Sequence, residues 1–407
     1  MREMKDSGID WIGIIPEHWE LRRAKSMFKQ STSKGNDRLV LLSATQDRGV
    51  VDKSTLDSVV QVSEDADLST FKTVHKNDFV ISLRSFQGGF EISHEEGVIS
   101  PAYTVFRLTT QTYPHFYRHL FKSYGFIDKI NSLTVGIREG KNIQYVDFAD
   151  MLLPYIPLTE QQRIAEFLDR KCAEVDEMIG LQEQIIEELK AYKQSVITEA
   201  VTKGLNPDAP MRDSGIEWIG QIPAHWRIAT IGRLFNIYAG GDAKWEFYSD
   251  NCDAEHPYPV YTNTLDKHQT YAYTSKPMFN GDTITVTGRG DIGHAFYRKE
   301  PFDAIIRLLV LEKKYNLDCR YFAYFIEDVI HFFTNSAAIG QLSAVQVTPY
   351  AICHPALVEQ QAIADYLDEK CADIDSLIQT KLSKIDSLKE YKKSIIYEYV
   401  TGKREVK

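Results

Sequence analysis

Cysteine is scarce: five residues in 407, at Cys172, Cys252, Cys319, Cys353 and Cys371, with no C-x-x-C pair among them. That spacing fits neither a zinc site nor a disulfide framework, so the thiols read as small buried apolar side chains. Long apolar runs are missing too. No stretch approaches the about 18 residues of a membrane helix, and mean hydropathy is −0.31. Basic charge is not in excess, since 47 Lys and Arg face 57 Asp and Glu for a net charge of −10. A simple DNA binder usually carries a basic face, which this balance does not supply by itself. Met1 to Ile15 carries Glu3, Asp6 and Asp10, where a secretory signal would be basic and then apolar. A cytoplasmic location is the expectation. Catalytic patterns are also lacking. The chain has no His/Glu zinc motif, no N/D-P-P-Y/F motif of adenine methyltransferases and no nuclease carboxylate cluster.

What the chain does have is a second copy of itself. Asp6-Ser-Gly-Ile-Asp-Trp-Ile-Gly13, ending Pro16-Glu-His-Trp19, returns 207 residues later as Asp213-Ser-Gly-Ile-Glu-Trp-Ile-Gly220, ending Pro223-Ala-His-Trp226. Glu160-Gln-Gln-Arg-Ile-Ala-Glu-Phe-Leu-Asp-Arg-Lys-Cys172 returns after 199 residues as Glu359-Gln-Gln-Ala-Ile-Ala-Asp-Tyr-Leu-Asp-Glu-Lys-Cys371. Repetition of this kind marks a duplicated frame holding two diverged inserts. Charge follows the same division. Residues 20–156 hold 17 basic against 16 acidic side chains, 157–206 hold 6 against 10, and 227–354 hold 12 against 14. His18 and His225 sit in the copied frame beside tryptophans, where packing is expected rather than catalysis.

The second motif opens a long helix. Leu168, Cys172, Val175, Ile179, Gln182, Ile186, Leu189, Lys193, Val196 and Ala200 step by four and three, a heptad seam. The copy runs Leu367, Cys371, Ile374, Ile378, Lys381, Ile385, Leu388, Lys392, Ile395 and Tyr399, with polar breaks at the same two places. Gly180 alone interrupts the first run, and Gly204-Leu-Asn-Pro207 ends it with a glycine stop followed by proline. Helices of about 40 residues, roughly 60 Å, are expected to pair antiparallel with each other, the rival reading being that each pairs with another protein. The frame also reads as circular, so the termini should lie close together.

The inserts share an order of elements. An Asn/Gly-Asp turn leads into buried strands at Asn77–Ser82 and Gly281–Val286. Gly-rich loops with an arginine follow, Arg84–Gly89 and Gly288–Gly293. Further strands come at Ala102–Leu108 and Ala304–Leu311, then aromatic helices at Phe116–Ile130 and Tyr321–Phe333. Last are polar loops, Gly136–Asn142 and Gly340–Ser343. The G-x-G-x-x-G of Gly288–Gly293 is not a dinucleotide fingerprint, because His294-Ala-Phe-Tyr-Arg298 reads as strand where a helix is required. Gly136–Asn142 is one residue short of a phosphate loop and lacks the Ser/Thr after Lys141. Arg289-Gly-Asp291 is a common tripeptide.

Together, the D-S-G-I-x-W-I-G-x-I-P-x-H-W frame and the P-L-x-E-Q-Q-x-I-A-x-F-L-D helix opening at Pro157–Asp169 resemble the specificity subunits of Type I restriction–modification enzymes. The resemblance covers essentially the whole chain. Its one departure is Pro355-Ala-Leu-Val-Glu359, with one residue more between Pro and Glu than the first copy. The resemblance implies an α+β fold: two mixed α/β target recognition domains separated by two long antiparallel coiled-coil helices, with an internal pseudo-two-fold repeat. The expected divisions are 1–156 (frame and first recognition domain), 157–206 (central helix), 207–354 (repeated frame and second recognition domain) and 355–407 (C-terminal helix). Each domain would read one half of a split, asymmetric double-stranded DNA target, and the helices would fix the gap between halves. Two methyltransferase subunits would dock on the copied parts, bind S-adenosylmethionine and methylate adenine. Two restriction subunits using ATP and Mg would join them where the system cleaves. The chain itself would carry no catalytic residue, metal or cofactor.

Candidate DNA contacts lie in the Gly-rich loops, where missing side chains let the backbone approach a groove and Arg, Asn or Gln can pair with base edges. In the first domain these are Arg84, Ser85, Gln87, Arg138, Lys141 and Asn142. In the second they are Lys244, Thr262, Asn263, Arg289 and Gln341. Each residue type suits equally a solvent-facing loop position or a structural ion pair. The competing reading of the whole chain is a coiled-coil scaffold whose two inserts bind proteins.

Overall fold

Each copy of the frame starts with a two-stranded hairpin, Met4–Asp6 against Ile14–Pro16 and Met211–Asp213 against Gln221–Pro223. The Asp-Ser-Gly sequence makes the same turn twice. The Gly8 and Gly215 amides each donate to the preceding aspartate's Oδ1 at 2.9 Å, with φ near +70° at both glycines. A second strand pair then forms a neck where the chain leaves and re-enters the frame: Glu20–Arg23 against Leu152–Tyr155, and Arg227–Thr230 against Ala351–His354. A computed structural model describes residues 2–35, 39–56, 68–82, 85–133, 143–332 and 341–406. It divides into two compact units, Met1–Gln182 with Leu382–Lys407, and Glu183–Lys381.

Beyond each neck lies a four-stranded antiparallel sheet of the same topology. In the first unit the spatial order is Phe28–Ser31, Thr104–Leu108, Phe79–Ile81, Glu91–Ile92. In the second it is Phe235–Ala239, Leu309–Lys313, Thr283–Val286, Ala295–Arg298. The cores are filled differently. Phe28 in the first unit has Phe79, Phe106, Tyr117, Phe121 and Phe148 with ring centroids 5.2–5.8 Å away. The second unit packs Ile284, Val286, Leu309 and Leu311 against Phe322, Phe325 and Ile326.

The long helices run Leu158–Lys203 and Leu357–Val400, 46 and 44 residues. Every residue of the expected seam is buried or half-buried. In the first unit the Phe167 ring lies 4.5 Å from Tyr399, and Lys392 Nζ is 2.6 Å from both oxygens of Asp176, so the two segments run antiparallel. In the second unit the equivalent pair, Lys193 with Asp375, stands at 2.7 Å. Such exposed pairs contribute under about 1 kcal/mol each and serve register more than stability. The extra residue at Pro355 proves not to be an insertion. Gln161 Nε2 donates to the Ile156 carbonyl (2.8 Å) and Gln360 Nε2 to that of Pro355 (2.9 Å), so the second proline merely sits one position earlier.

Helix ends meet frame copies through matching residues. Glu160 accepts from Trp19 Nε1 (3.2 Å) and bonds His18 Nε2 (2.9 Å); Glu359 does the same with Trp226 (3.0 Å) and His225 (2.9 Å). The histidines are therefore latches on the frame. The termini adjoin as expected. Arg2 reaches the Gly402 carbonyl at 2.6 Å, Tyr397 Oη the Trp11 carbonyl at 2.9 Å, and Lys403 Nζ the Ile12 carbonyl at 2.5 Å.

Four expectations need correction. The helix expected at Phe116–Ile130 is two helices, Pro114–Lys122 and Tyr124–Ser132, broken at the buried Ser123. The loop after Arg84 contains a helical turn, Ser85–Gly88. The strand expected at Ala304–Leu311 is interrupted at Ile306 and Arg307, which both have positive φ. The other aromatic helix is shorter than expected, Cys319–Val329.

Candidate nucleic-acid interface

In the second unit three segments converge on Asn263. Its Oδ1 accepts the Gly288 amide (2.7 Å) and the Arg289 amide (3.2 Å), and its Nδ2 donates to the Ile306 carbonyl (2.5 Å). Arg289 pairs across an isolated β-bridge with Gln341, and both are exposed. Gly288 is needed at this junction, since a Cβ there would lie 2.6 Å from the Arg307 carbonyl oxygen. Thr262 is half-buried beside Asn263. Lys244 is spoken for differently. It stands 3.3 Å from Oδ2 of Asp303, a buried carboxylate that also accepts from Tyr248 Oη at 2.9 Å.

In the first unit Ser85 is buried, its Oγ accepting the Ser82 amide at 2.8 Å. Gln87 is exposed, with Oε1 3.4 Å from Gln46 Nε2. Behind them Lys122 Nζ bonds the buried Glu91 at 2.5 Å and the Gln46 carbonyl at 3.1 Å. Burial holds the Glu91 carboxyl above its ordinary range against the pull of Lys122. Arg84, Arg138, Lys141 and Asn142 lie outside the described residues.

Among the described residues no group of three or more His, Cys, Asp or Glu could hold a metal, and no helix is long and apolar enough to cross a membrane. Burial pushes the Cys172 thiol up to about 11 and those of Cys319 and Cys353 up to about 12, leaving them protonated and inert.

Residues 223–387 match the family described as the Type I restriction modification DNA specificity domain. A putative type I restriction enzyme MjaX specificity subunit of Methanocaldococcus jannaschii is 22 % identical over 97 % of this chain and 96 % of that one. The EcoKI specificity subunit of Escherichia coli is 40 % identical over 86 residues, 21 % of this chain and 18 % of that one. The HsdS subunit from Thermoanaerobacter tengcongensis shares the fold over 96 % of this chain and 98 % of its own, with a TM-score of 0.53 at 16 % identity. A chain solved for the complex assembly and conformational transition of the type I R-M system does so over 95 % and 98 %, with a TM-score of 0.76 at 15 % identity. The chain belongs to the Type I restriction–modification specificity subunits.

It is thus a DNA specificity subunit, of a family that is non-catalytic in these systems. Within this specificity subunit the structure gathers Asn263, Arg289 and Gln341 on one edge and leaves Lys244 tied to Asp303. Sequence reasoning missed Ile306 and Arg307, which complete that edge. Their only signal is backbone conformation, and an Ile-Arg pair carries no turn signature.

The second unit also holds a titrating group. Burial, reinforced by neighbouring Glu327 and opposed by Lys193, pushes the Asp328 carboxyl up to about 7. A folded-state value raised above the unfolded one gives stability that is complete below the ordinary carboxylate range and lost as pH rises through about 7. Asp328→Asn is expected to stabilise this unit at pH 8 by roughly 1–2 kcal/mol and to change little at pH 5. Melting curves at the two pH values check this.

Proposed function

We propose that each unit reads one half of a split, asymmetric DNA target and that the long helices set the spacing between halves. The observation that carries this reading is two heads of one topology on necks paired in the same way, with differently built edges: Asn263, Arg289 and Gln341 in one, Gln46 and Gln87 in the other. A reader with two unlike heads suits two unlike half-sites. A 46-residue helix is about 69 Å long, which exceeds the roughly 34–36 Å of one DNA turn. Near-neutral heads leave part of the phosphate neutralisation to partners.

Two methyltransferase subunits are the partners in this proposal, each bringing S-adenosylmethionine, with restriction subunits using ATP and Mg where cleavage occurs. The outer helix faces support it. Met178 and Tyr192 are exposed on the first helix, and their equivalents Leu377 and Tyr391 are exposed on the second, so apolar side chains left uncovered by the described residues recur at the same positions of both copies. The test is co-expression with the methyltransferase encoded beside this chain, followed by mapping adenine methylation across the host genome. A split motif that appears only with this chain supports the proposal; methylation that is absent or unchanged although the proteins co-purify refutes it. In the same assay Arg289→Ala should relax one base pair of one half-site, at a cost of about 1–3 kcal/mol for a bidentate contact. An unchanged motif would remove Arg289 from the readers.

A further inference from the structure

Ile305 to Leu308 forms a four-residue turn, closed by the Leu308 amide on the Ile305 carbonyl at 3.2 Å. Both central residues are left-handed, with φ +54° at Ile306 and +64° at Arg307. Mirror-image turns of this kind are normally built from Asn-Gly or Gly-rich pairs, because a β-branched residue at positive φ is sterically crowded. The corresponding turn of the first unit, between strands Gly97–Ile99 and Thr104–Leu108, closes the same way, with the Tyr103 amide on Ser100 O at 3.0 Å. It carries Pro101-Ala102, neither of them at positive φ. The fold therefore does not demand strain at this place; the second unit alone has it.

The strain is held from three sides. Gly241 O accepts the Ile306 amide (2.9 Å), Gly240 O accepts the Arg307 amide (3.1 Å), and Asn263 Nδ2 clamps the Ile306 carbonyl. The same Asn263 clamps the backbone of Gly288 and Arg289, so one amide side chain fixes two arginine-bearing loops to each other. What the strain achieves is presentation. Ile306 is 41 % exposed, and the exposed Arg307 guanidinium makes no hydrogen bond or ion pair among the described residues. The nearby acid, Asp303, is buried and already taken by Lys244 and Tyr248. Strained backbone held firmly by its surroundings is characteristic of functional positions. A fixed backbone under a free, planar donor fork is the arrangement that bidentate recognition requires.

We propose that Arg307 is a base-reading residue of the second unit, directed at a guanine edge in the major groove, and that Asn263 is its positioning residue. The inference rests on the DNA-reading function proposed above. It gives Asn263, a residue type that suits adenine, a different role, since both ends of its amide are occupied within the protein.

The test uses the full complex with its methyltransferase. Dissociation constants are measured at fixed salt for the cognate duplex and for duplexes altered at each single base pair of the mapped target. With Arg307→Ala, preference for the cognate pair at one or two adjacent positions of a single half-site should fall from about 5- to 150-fold to near unity, and the other half-site should be unchanged. Asn263→Ala should lower the same ratios, and Arg307→Lys should not restore them, because a point charge cannot fork. Arg307→Gly suits a left-handed φ, guards against a folding failure and is read by the same ratios. Equal weakening of every duplex, as from a phosphate contact or a structural role, would overturn the proposal, and so would no change. A wild-type complex without any sequence-dependent target would instead overturn the DNA-reading function itself.

Discussion

Phe28→Ala should destabilise the first unit by about 3–5 kcal/mol, the usual cost of emptying a fully buried phenyl site. Phe28 is 1 % exposed and meets five aromatic rings from two other strands and two helices. Little nearby can relax into the gap, because the neighbouring rings are themselves locked against Phe90 and Phe126. Against a typical domain stability of about 5–15 kcal/mol, the loss is enough to depress the melting transition by roughly 10 °C. Phe28→Leu, which keeps most of the volume, should cost under about 1.5 kcal/mol. Melting of the two variants side by side checks the difference, and equal shifts would show that the ring cluster is not the keystone of this unit.

The second large effect separates covalent order from spatial order. Deleting residues 2–19 should abolish sequence-dependent methylation, since Ile12, Ile15 and Trp19 are core residues of the first unit. A chain carrying the same residues elsewhere should keep it. Joining Lys407 to Arg2 through a short Gly/Ser linker and opening the chain between Pro207 and Asp208 disturbs exposed backbone and two local hydrogen bonds to Asn206, Asp208 N to its Oδ1 and Ala209 N to its carbonyl. The permuted chain should methylate the same motif, with stability within about 1 kcal/mol of the natural order. Methylation mapping of both constructions decides it. An inactive permuted chain that expresses well would mean that the adjoining termini do not act as one continuous frame.

The frame was legible in the sequence because its joints use identical residues twice. Asp6 and Asp213 make the same turn, and Trp19 and Trp226 donate to the same glutamate of the helix motif. The helices were legible because a heptad seam is periodic, and the copied polar breaks fall at Lys193 and Lys392, which pair with Asp375 and Asp176. The heads were harder. One shape is filled by phenyl rings in the first unit and by Ile, Val and Leu in the second, so side-chain identity fades while topology persists. The edge of the second unit was partly hidden. Asn263 stood out by type, but its partners Gly288 and Ile306 are brought to it only by the sheet. Lys244 looked free because the carboxylate that holds it lies 59 residues away. A strand runs plausibly through Ile306 until Gly240, Gly241 and Asn263 are seen to bend it.

The division of the frame also sets a timetable. The second unit is one continuous stretch, Glu183–Lys381, whereas the first needs Leu382–Lys407 to complete its core with Ile395, Ile396, Tyr399 and Val400. During synthesis the head that is made first must therefore wait, with part of its apolar surface uncovered, until the final helical turns have left the ribosome. The later head can close before it. A chain stopped early would release a finished second unit attached to an unfinished first one, exposed to proteases and to aggregation. In the permuted chain the roles reverse, so the order of maturation follows from where the circle is cut.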